Sequence, residues 1–546
     1  MEFGSGCDRW APSRAVLSTI ALVAVLITAC GGKSYASYPF PFDRTHGEGD
    51  LISIQPVTSY PTATTPGSVG LDSFYAQLIC NQLTSQECAA NIANLDVPEF
   101  GNFNLNANPI GNNPLGIEAI DAVKIDYGAI NVDGSPVTVS GGIEIPEIAH
   151  RRLKGIILYF HGTTVQRSNV PSTFTPTDTI AGYTDSILMA AVWASQGYIV
   201  VMPDYIGLGD DLAHVHPYVI YPRENAQSGM AMLKAARAYL RSAYKIKRRL
   251  PLLITGYSEG GAYALRAAHL MQANPRYESV LNVKLRKAAP MSGFFDLSGT
   301  GLPYLFDNIS STNNPWFSLN PTVSALSKPY LSAYLVLSFG SYSGVVPTEI
   351  LADKFYNCPS GTSECGAGDN LDGLYFTAPQ NPTPYDSVVL TLAYALATQT
   401  GWSTSNNAVT PLMTDTYAQA LMNRDPTNPL YAQIVAADTY HFVPRFPVTL
   451  VSLAQDSVVT RVNSDVAYSY FVRKKPHGPY KEDLIDNNNF LAMGIASVGP
   501  IDHTSELPFL SVLVLHEFNK VLKLSPDLLA PGEAAINELA TEPATD

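Results

Sequence analysis

The sequence has little charge and no excess of basic residues. Only 15% of its 546 residues are charged, and 33 Lys and Arg face 47 Asp and Glu, for a net charge of −14. Soluble domains usually carry about 25% charged residues. A basic excess would be needed to neutralise phosphates, so the composition argues against nucleic acid as a partner. Apolar residues make up 46%, which supports a large core and excludes an intrinsically disordered chain.

The apolar run near the N-terminus is too short to cross a membrane. It covers sixteen residues from Ala15 to Cys30, whereas a spanning helix needs about 20. The length suits the core of a signal peptide. Its end, Ile27-Thr28-Ala29-Cys30, resembles the lipobox of bacterial lipoproteins, in which the Cys is lipidated. We therefore expect a signal peptide at 1–30 and a membrane anchor at Cys30, on the outer membrane or surface of a bacterial cell. An ordinary signal peptide with an incidental Cys30 is the alternative.

Cysteine is scarce, which limits the possible cross-links. Two of the six cysteines lie in the signal segment, which leaves Cys80, Cys88, Cys358 and Cys365. Four cysteines allow three pairings. The short loops favour disulfides between Cys80 and Cys88 and between Cys358 and Cys365. A zinc site is the weaker alternative, because CxxC-like spacing and nearby His are missing.

Changes in residue composition and periodicity along the chain predict six segments. Residues 31–70 are rich in Ser, Thr, Tyr, Pro and Gly without periodicity, and residues 297–445 are rich in Pro, Asn, Ser and Tyr with short apolar helices. A structureless loop of the latter length is implausible, so we expect a helical cap, with a second independent domain as the alternative. The segments are a signal peptide (1–30), a flexible tether (31–70), the first part of the core (71–296), a cap insertion (297–445), the second part of the core (446–524) and an acidic tail (525–546).

The core segments show strands alternating with helices, which is typical of a mostly parallel sheet covered on both faces. The alternating stretches 119–131 and 135–146 flank Asp133-Gly134 and predict an antiparallel hairpin at the sheet edge. Buried strands are expected at 155–160, 198–202, 252–255, 283–292 and 448–453. Helices are expected at 71–95, 186–195, 222–244, 259–272, 331–337, 387–398 and from 506 onward.

The segment Gly256-Tyr257-Ser258-Glu259-Gly260-Gly261 carries the clearest chemical signal. It has the pattern G-x-S-x-G between a predicted strand and a predicted helix, which is the context of a nucleophile elbow. The small residues Gly256 and Gly260 allow strand and helix to approach closely around a strained turn. Ser258 is therefore the candidate nucleophile, and the backbone N–H of Glu259 is a candidate oxyanion donor.

A serine nucleophile needs a base and an acid, which follow it in the chain in this kind of fold. Asp456 comes directly after the strand at 448–453, and His503 lies in a loop before the final helix. We take these as the acid and the base. Asp296 and Asp465 are the rival acids. The rival histidines are His441, His477 and His516.

The second oxyanion donor is expected in the loop after the strand at 155–160. There the backbone N–H of Thr163, in His161-Gly162-Thr163-Thr164, is the natural candidate. A metal site among Asp210, Asp211, His214 and His216 is a weak alternative, because no further ligands complete it. With neither a G-x-G-x-x-G after a strand nor a P-loop, no cofactor is indicated.

Taken together, these motifs resemble the α/β-hydrolase secretory lipases, similar to fungal lipase A and its bacterial relatives. The resemblance covers about residues 115–520. It is carried by the oxyanion loop with Val170-Pro171-Ser172, the elbow, Pro203-Asp204-Tyr205-Ile206-Gly207-Leu208-Gly209 and His216-Pro217-Tyr218. It implies an α/β-hydrolase fold, hydrolysis of small-molecule or lipid carboxylic esters by Ser258, Asp456 and His503, and a cap inserted before the acid strand. The competing functions are a serine peptidase related to prolyl peptidases and a non-catalytic surface lipoprotein.

Overall fold

A computed structural model of the chain shows one large sheet that organises most of the molecule. The structure describes residues 39–63, 65–66, 68–71, 74–75, 77–78, 96–97, 103–104, 115, 117–164, 166–177, 184–306, 321–345, 347–350, 413–485, 502–503 and 505–523. The signal segment with Cys30, the four paired-cysteine candidates, the acidic tail and the helix expected at 387–398 lie outside the described residues. Most of the helix expected at 71–95 also lies outside them.

The main sheet has nine strands in the order β1-β4-β5-β7-β6-β8-β9-β10-β11. Strands β1, β4 and β5 run antiparallel to their neighbours, and β6 to β11 pair in parallel. A separate two-stranded sheet pairs β2 with β3. The strands are β1 (Leu51–Pro61), β2 (Asp96–Val97), β3 (Phe103–Asn104), β4 (Ala119–Ile130), β5 (Pro136–Pro146), β6 (Gly155–Phe160), β7 (Tyr198–Pro203), β8 (Leu250–Gly256), β9 (Val283–Ala288), β10 (Val448–Leu453) and β11 (Tyr480–Ile485).

The predicted hairpin forms β4 and β5, but it does not lie at the sheet edge. Its turn needs a left-handed residue, which Gly134 supplies at φ 85°. The edge prediction is wrong because β1 pairs with the outer side of β4. β5 therefore links a three-stranded antiparallel part to the parallel part.

The tether predicted at 31–70 is wrong for residues 51–61, which form β1. This strand is hard to find from sequence, because its side chains are mostly exposed and leave no buried stripe. Pro56 also sits beside a shift of register, as expected of proline on an edge strand. The preceding Phe42 is buried in the core. The chain around Phe42 therefore packs against the folded domain and is not a free tether.

Helices cover both faces of the sheet, as the strand–helix alternation predicted. The helices are α1 (Asp185–Val192), α2 (Pro222–Ser242), α3 (Glu259–Ala273), α4 (Arg276–Val280), α5 (Leu302–Phe306), α6 (Pro321–Tyr342), α7 (Pro347–Ile350), α8 (Asp415–Met422), α9 (Pro429–Ala436), α10 (Val462–Lys474) and α11 (Leu507–Val521). Along β6, Ile156, Leu158 and Phe160 pack with α2 and α3. Ile157 and Tyr159 face the opposite way and pack with α1 and α11. This alternation of side chains builds a core on each face.

The described part of the segment 297–445 is helical and packs onto the core. Helices α5 to α9 share one apolar cluster with Tyr218 and Val458, which belong to loops of the core. This packing favours the cap over the alternative of an independent domain. The short helix expected at 331–337 is the middle of the much longer α6.

Two elements were missed near the end of the chain. Helix α10 and strand β11 lie at 462–474 and 480–485, outside the helices and strands expected from the sequence. Phe471 of α10 is buried in the core, so this helix packs against the sheet. Within the described part of the chain, no helix combines the length and apolarity needed to cross a membrane.

Candidate active site

The turn between β8 and α3 holds Ser258 in an unusual backbone conformation. Its φ is 57° and its ψ is −120°, which places a non-glycine residue at positive φ. Such strain persists only where the surroundings enforce it. A Cβ on Gly256 would lie 2.2 Å from the carbonyl oxygen of Gly260, and one on Gly260 would lie 2.1 Å from that of Phe160. Both elbow glycines are therefore required by close backbone contact.

Ser258, His503 and Asp456 lie together at the carboxyl edge of the parallel strands. Nε2 of His503 lies 2.8 Å from Oγ of Ser258, and Nδ1 of His503 lies 2.7 Å from Oδ2 of Asp456. All three are buried, and Asp456 is 0% exposed. The three residues come from different parts of the chain, after β8, after β10 and before α11. The structure thus brings the predicted nucleophile, base and acid into one hydrogen-bonded chain.

The predicted acid, Asp456, and the predicted base, His503, are each held by further contacts. Oδ1 of Asp456 accepts hydrogen bonds from the backbone N–H groups of Val458 and Val459, both at 2.8 Å. These donors stabilise the ionised carboxylate. The ring of His503 stacks on Tyr257, with centroids 5.0 Å apart, and the Tyr257 hydroxyl donates to the carbonyl of His503. The imidazole is therefore held in one orientation between Ser258 and Asp456.

A second carboxyl group, Glu506, faces the imidazole, although no motif in the sequence marks it as a site residue. It is 0% exposed, and its Oε1 lies 3.5 Å from Nδ1 of His503. Burial and the nearby charge of Asp456 raise the pKa of Glu506 to about 7. Burial alone would lower the pKa of His503, but Asp456 and Glu506 outweigh burial and raise it. The only sequence signal was the spacing of three residues from His503, which read simply as the start of a helix.

The loop after β6 lies against Ser258, the predicted nucleophile. A Cβ on Gly162 would be 3.7 Å from the Cβ of Ser258, so the next residue, Thr163, borders the same space. Glu259 begins α3, where the N–H groups of the first turn have no acceptor within the helix. His161 supports the loop, since its carbonyl accepts a hydrogen bond of 2.7 Å from the Tyr205 hydroxyl. Thr163 and Glu259, which carry the predicted oxyanion donors, therefore both belong to segments next to Ser258.

The chain matches the family model of the secretory lipases over residues 170–283. These residues include the elbow, Ser258 and the segment His216-Pro217-Tyr218. The resemblance to the secretory lipases is confirmed. The matched region covers the elbow but neither Asp456 nor His503.

Solved structures share the α/β-hydrolase fold of this secretory-lipase-like chain. The rice cell wall degrading esterase LipA from Xanthomonas oryzae is 18% identical, with a TM-score of 0.57, over 86% of this chain and 98% of that one. A structure from Legionella pneumophila is 19% identical, also with a TM-score of 0.57, over 87% and 99%. A search among curated protein sequences finds no match. The comparisons support a hydrolase of the lipase and esterase type.

A cavity of about 340 Å³ opens at Ser258. Both the core and the cap helix α6 contribute to its walls. The lining residues are His161, Gly162, Thr163, Thr164, Asn169, Val170, Pro171, Asp185, Tyr257, Ser258, Ser327, Leu331, Val458, His503 and Leu507. The mixture of hydroxyl, amide and aliphatic groups is suited to a small molecule with both polar and apolar parts.

The rival acids and histidines make other contacts. Oδ2 of Asp296 accepts a hydrogen bond from Thr300, and Asp465 of α10 pairs with Arg461, the residue before that helix. His477 and His441 are exposed. His516 lies within α11. The structure therefore favours Asp456 and His503 by geometry.

The residues considered for a metal are engaged separately. Asp210 pairs with Lys124, His214 lies 2.8 Å from Asp211, and His216 lies 2.6 Å from Glu259. Within the described ranges, one group of three potential metal ligands has its side chains close together: Asp456, His503 and Glu506. There Nδ1 of His503 already bonds to Asp456, which suits an acid–base pair.

Proposed function

We propose that this chain is a serine carboxylic-ester hydrolase that works through an acyl-enzyme formed on Ser258. The single observation that carries the proposal is the continuous hydrogen-bonded chain from Ser258 through His503 to Asp456. A serine hydroxyl becomes a useful nucleophile when an oriented base removes its proton. The esterase and lipase character of the comparisons agrees with this chemistry.

In the first half of the reaction, Oγ of Ser258 attacks the ester carbonyl while Nε2 of His503 takes the hydroxyl proton. Asp456 keeps Nδ1 protonated and stabilises the imidazolium that forms. The backbone N–H groups of Thr163 and Glu259 stabilise the negative oxygen of the tetrahedral intermediate. His503 then gives its proton to the leaving alcohol, and the acyl group remains on Ser258.

In the second half, water enters and His503 acts again as base. It removes a proton from the water, which attacks the acyl carbonyl. The second tetrahedral intermediate uses the same two backbone donors. Collapse returns the proton to Oγ of Ser258 and releases the carboxylic acid, so the enzyme is regenerated without a cofactor.

The substrate is a small-molecule or lipid ester. The cavity contains aliphatic side chains from Leu331, Val458 and Leu507 beside hydroxyl groups from Thr163 and Ser327. Aliphatic groups suit an acyl chain, and hydroxyl groups suit the oxygens of an ester. Because a cap helix lines the cavity, the cap takes part in substrate choice.

A panel of p-nitrophenyl esters with short, medium and long acyl chains, together with peptide amides, tests the proposal. We expect turnover of esters and little turnover of amides, and loss of turnover in the folded Ser258→Ala variant. Preferential cleavage of the amides would instead support a serine peptidase. A wild type that cleaves neither class, while binding the esters, would support a non-catalytic surface protein.

We also propose that the enzyme acts outside the cytoplasm, attached by a lipid at Cys30. The signal-like segment at 1–30 and the lipobox-like end support this proposal. Disulfides joining Cys80 to Cys88 and Cys358 to Cys365 fit the same oxidising location. Peptide mapping without reduction should recover these two pairs; four free thiols or crossed pairs would contradict them.

A further inference from the structure

The segment His216-Pro217-Tyr218 contributes no group to the proposed reaction, yet it lies beside both oxyanion donors. His216 is 0% exposed. Its Nδ1 lies 2.9 Å from the carbonyl oxygen of Ile206 and its Nε2 lies 2.6 Å from Oε1 of Glu259. A carbonyl oxygen only accepts, so Nδ1 donates to Ile206. The contact at Nε2 then holds one further proton between the imidazole and the carboxyl group.

Glu259 is therefore held by a buried contact on its side chain. It is 1% exposed, and its Oε1 also accepts a hydrogen bond from the Tyr263 hydroxyl at 2.5 Å. Buried carboxyl groups are rare unless they are paired in this way. Because Glu259 follows Ser258 directly, anchoring this side chain also anchors the first turn of α3, which carries one of the proposed donors.

The other proposed donor, at Thr163, is contacted by Tyr218 and by the cap. The Tyr218 hydroxyl lies 3.3 Å from Oγ1 of Thr163. Its ring stacks on Tyr334 of α6, with centroids 4.4 Å apart and planes within 5°. The Tyr334 hydroxyl in turn donates to the carbonyl of Thr164 at 3.2 Å. The cap helix therefore contacts the oxyanion loop at two successive residues, directly and through Tyr218.

One aromatic stack joins these two anchor points. The ring of His216 stacks on Tyr205 at 5.4 Å and lies 5.8 Å from the ring of Tyr334. Tyr205 stacks on His161 of the oxyanion loop at 4.1 Å. A displacement of Tyr334 would thus disturb both the loop and His216.

We propose that His216, Tyr218 and Tyr334 are positioning residues that fasten both oxyanion donors, at Thr163 and Glu259, to the cap helix α6. This inference rests on the proposed function, since the donors matter only if an oxyanion forms at Ser258. Placement of donors affects the transition state more than the bound substrate. A loosened donor should therefore lower kcat and leave KM nearly unchanged.

Tyr334→Phe tests the proposal because it removes one hydroxyl and keeps the stacked ring. We expect kcat for a p-nitrophenyl ester to fall about fivefold, the size expected for one hydrogen bond, with KM within about twofold of wild type. Affinity for a trifluoromethyl ketone, which forms a tetrahedral oxyanion on the serine, should fall by the same factor as kcat. Affinity for the carboxylic acid product should be unchanged.

Tyr480→Phe is the matched control, because its hydroxyl also donates to a backbone carbonyl, that of Phe471, at 2.7 Å. Tyr218→Phe should act like Tyr334→Phe, and the double variant should lose less than the product of the two single losses, since coupled residues are not additive.

The inference is overturned if Tyr334→Phe matches Tyr480→Phe in kcat and in affinity for the ketone. The inference is also overturned if Tyr334→Phe raises KM and leaves kcat unchanged, which would indicate a role in substrate binding. Failure of the proposed function gives a different result, because the wild type would then turn over little or no ester, or Ser258→Ala would retain ester turnover, whatever Tyr334→Phe does.

Discussion

Two carboxyl groups, Asp456 and Glu506, face the single imidazole of the proposed base. Asp456 bonds directly to Nδ1, whereas Glu506 lies 3.5 Å away and its pKa of about 7 places its ionisation near neutral pH. The other titratable groups around His503 are Tyr257, stacked on its ring, and Asp502, which accepts from its backbone N–H. Asp185 and His161 line the same cavity.

We predict that Glu506→Gln moves the acidic limb of the kcat/KM profile to lower pH. Ionised Glu506 favours the charged imidazolium and so raises the pKa of His503. A neutral amide removes this effect, so the base becomes free of its proton at lower pH, by about one unit. Glu48→Gln is the control, because burial also raises the pKa of Glu48 but it contacts Asp43 and Gln227. An unmoved limb would contradict the role given to Glu506.

A comparison of two acids tests the assignment of Asp456. We predict that Asp456→Asn lowers kcat by about 10⁴-fold, less than the roughly 10⁶-fold expected for Ser258→Ala, because the acid orients the base without reacting. Asp296→Asn should stay within a few-fold of wild type, since Asp296 contacts Thr300. If the Asp296 variant is the inactive one, the acid follows a different strand.

At the scale of elements, α11 is fastened to three strands by one carboxylate. Glu517 of α11 pairs with Lys287 of β9 and with Lys481 of β11 at 2.8 Å, and it accepts from Thr449 of β10 at 3.0 Å. Burial alone would raise the pKa of Glu517, but the two lysines outweigh it and lower the pKa to about 2. Because α11 follows the loop that carries His503, this attachment also supports the site.

We predict that Glu517→Gln lowers the free energy of unfolding by about 3 kcal/mol at pH 7, since it leaves the buried Lys287 without its counter-charge. A lowered carboxyl pKa stabilises the fold above the unfolded pKa, near 4.5, and this stabilisation is lost as the pH falls towards 2. The difference between variant and wild type should therefore shrink over that range in urea unfolding. Glu278→Gln, which breaks a surface pair with Arg249 and Lys284, should cost less than about 1 kcal/mol. A cost for Glu517→Gln that does not change with pH would contradict this prediction.

At the scale of the whole molecule, we propose that the N-terminal segment determines where the protein is located. We predict that Cys30→Ser abolishes lipid modification and moves the protein to the soluble fraction. The acyl chains of a lipid anchor insert into the membrane and hold the protein there. Detergent phase partitioning of the full chain measures this, with Cys80→Ser as a cysteine control that should remain anchored. A wild type that partitions into the aqueous phase would show that Cys30 is not a lipidation site.

The sequence could predict those parts of the fold that leave a local signal. Apolar runs predict the buried strands β6, β7 and β10, and a helical period predicts the amphipathic α2. The turn at Gly134 predicts the hairpin. Strand β1 could not be found this way, because an exposed edge strand is stabilised by backbone pairing rather than by a buried face.

The same distinction holds for the site. The grouping of Ser258, Asp456 and His503 was predictable because the order of elements places each residue at a strand end or in a loop at the same sheet edge. Glu506 and the contact between His216 and Glu259 depend on side chains meeting across loops, and no spacing in the sequence records such contacts.

The most direct test of nucleophilic catalysis by Ser258 is the reaction of the intact enzyme with diethyl p-nitrophenyl phosphate, followed by mass spectrometry. We predict one diethylphosphoryl group per chain, bound to Oγ of Ser258, with ester turnover lost in proportion to labelling. The folded Ser258→Ala variant should remain unlabelled. Complete loss of turnover with the label on another residue, or full turnover in a chain labelled at Ser258, would show that Ser258 is not the nucleophile.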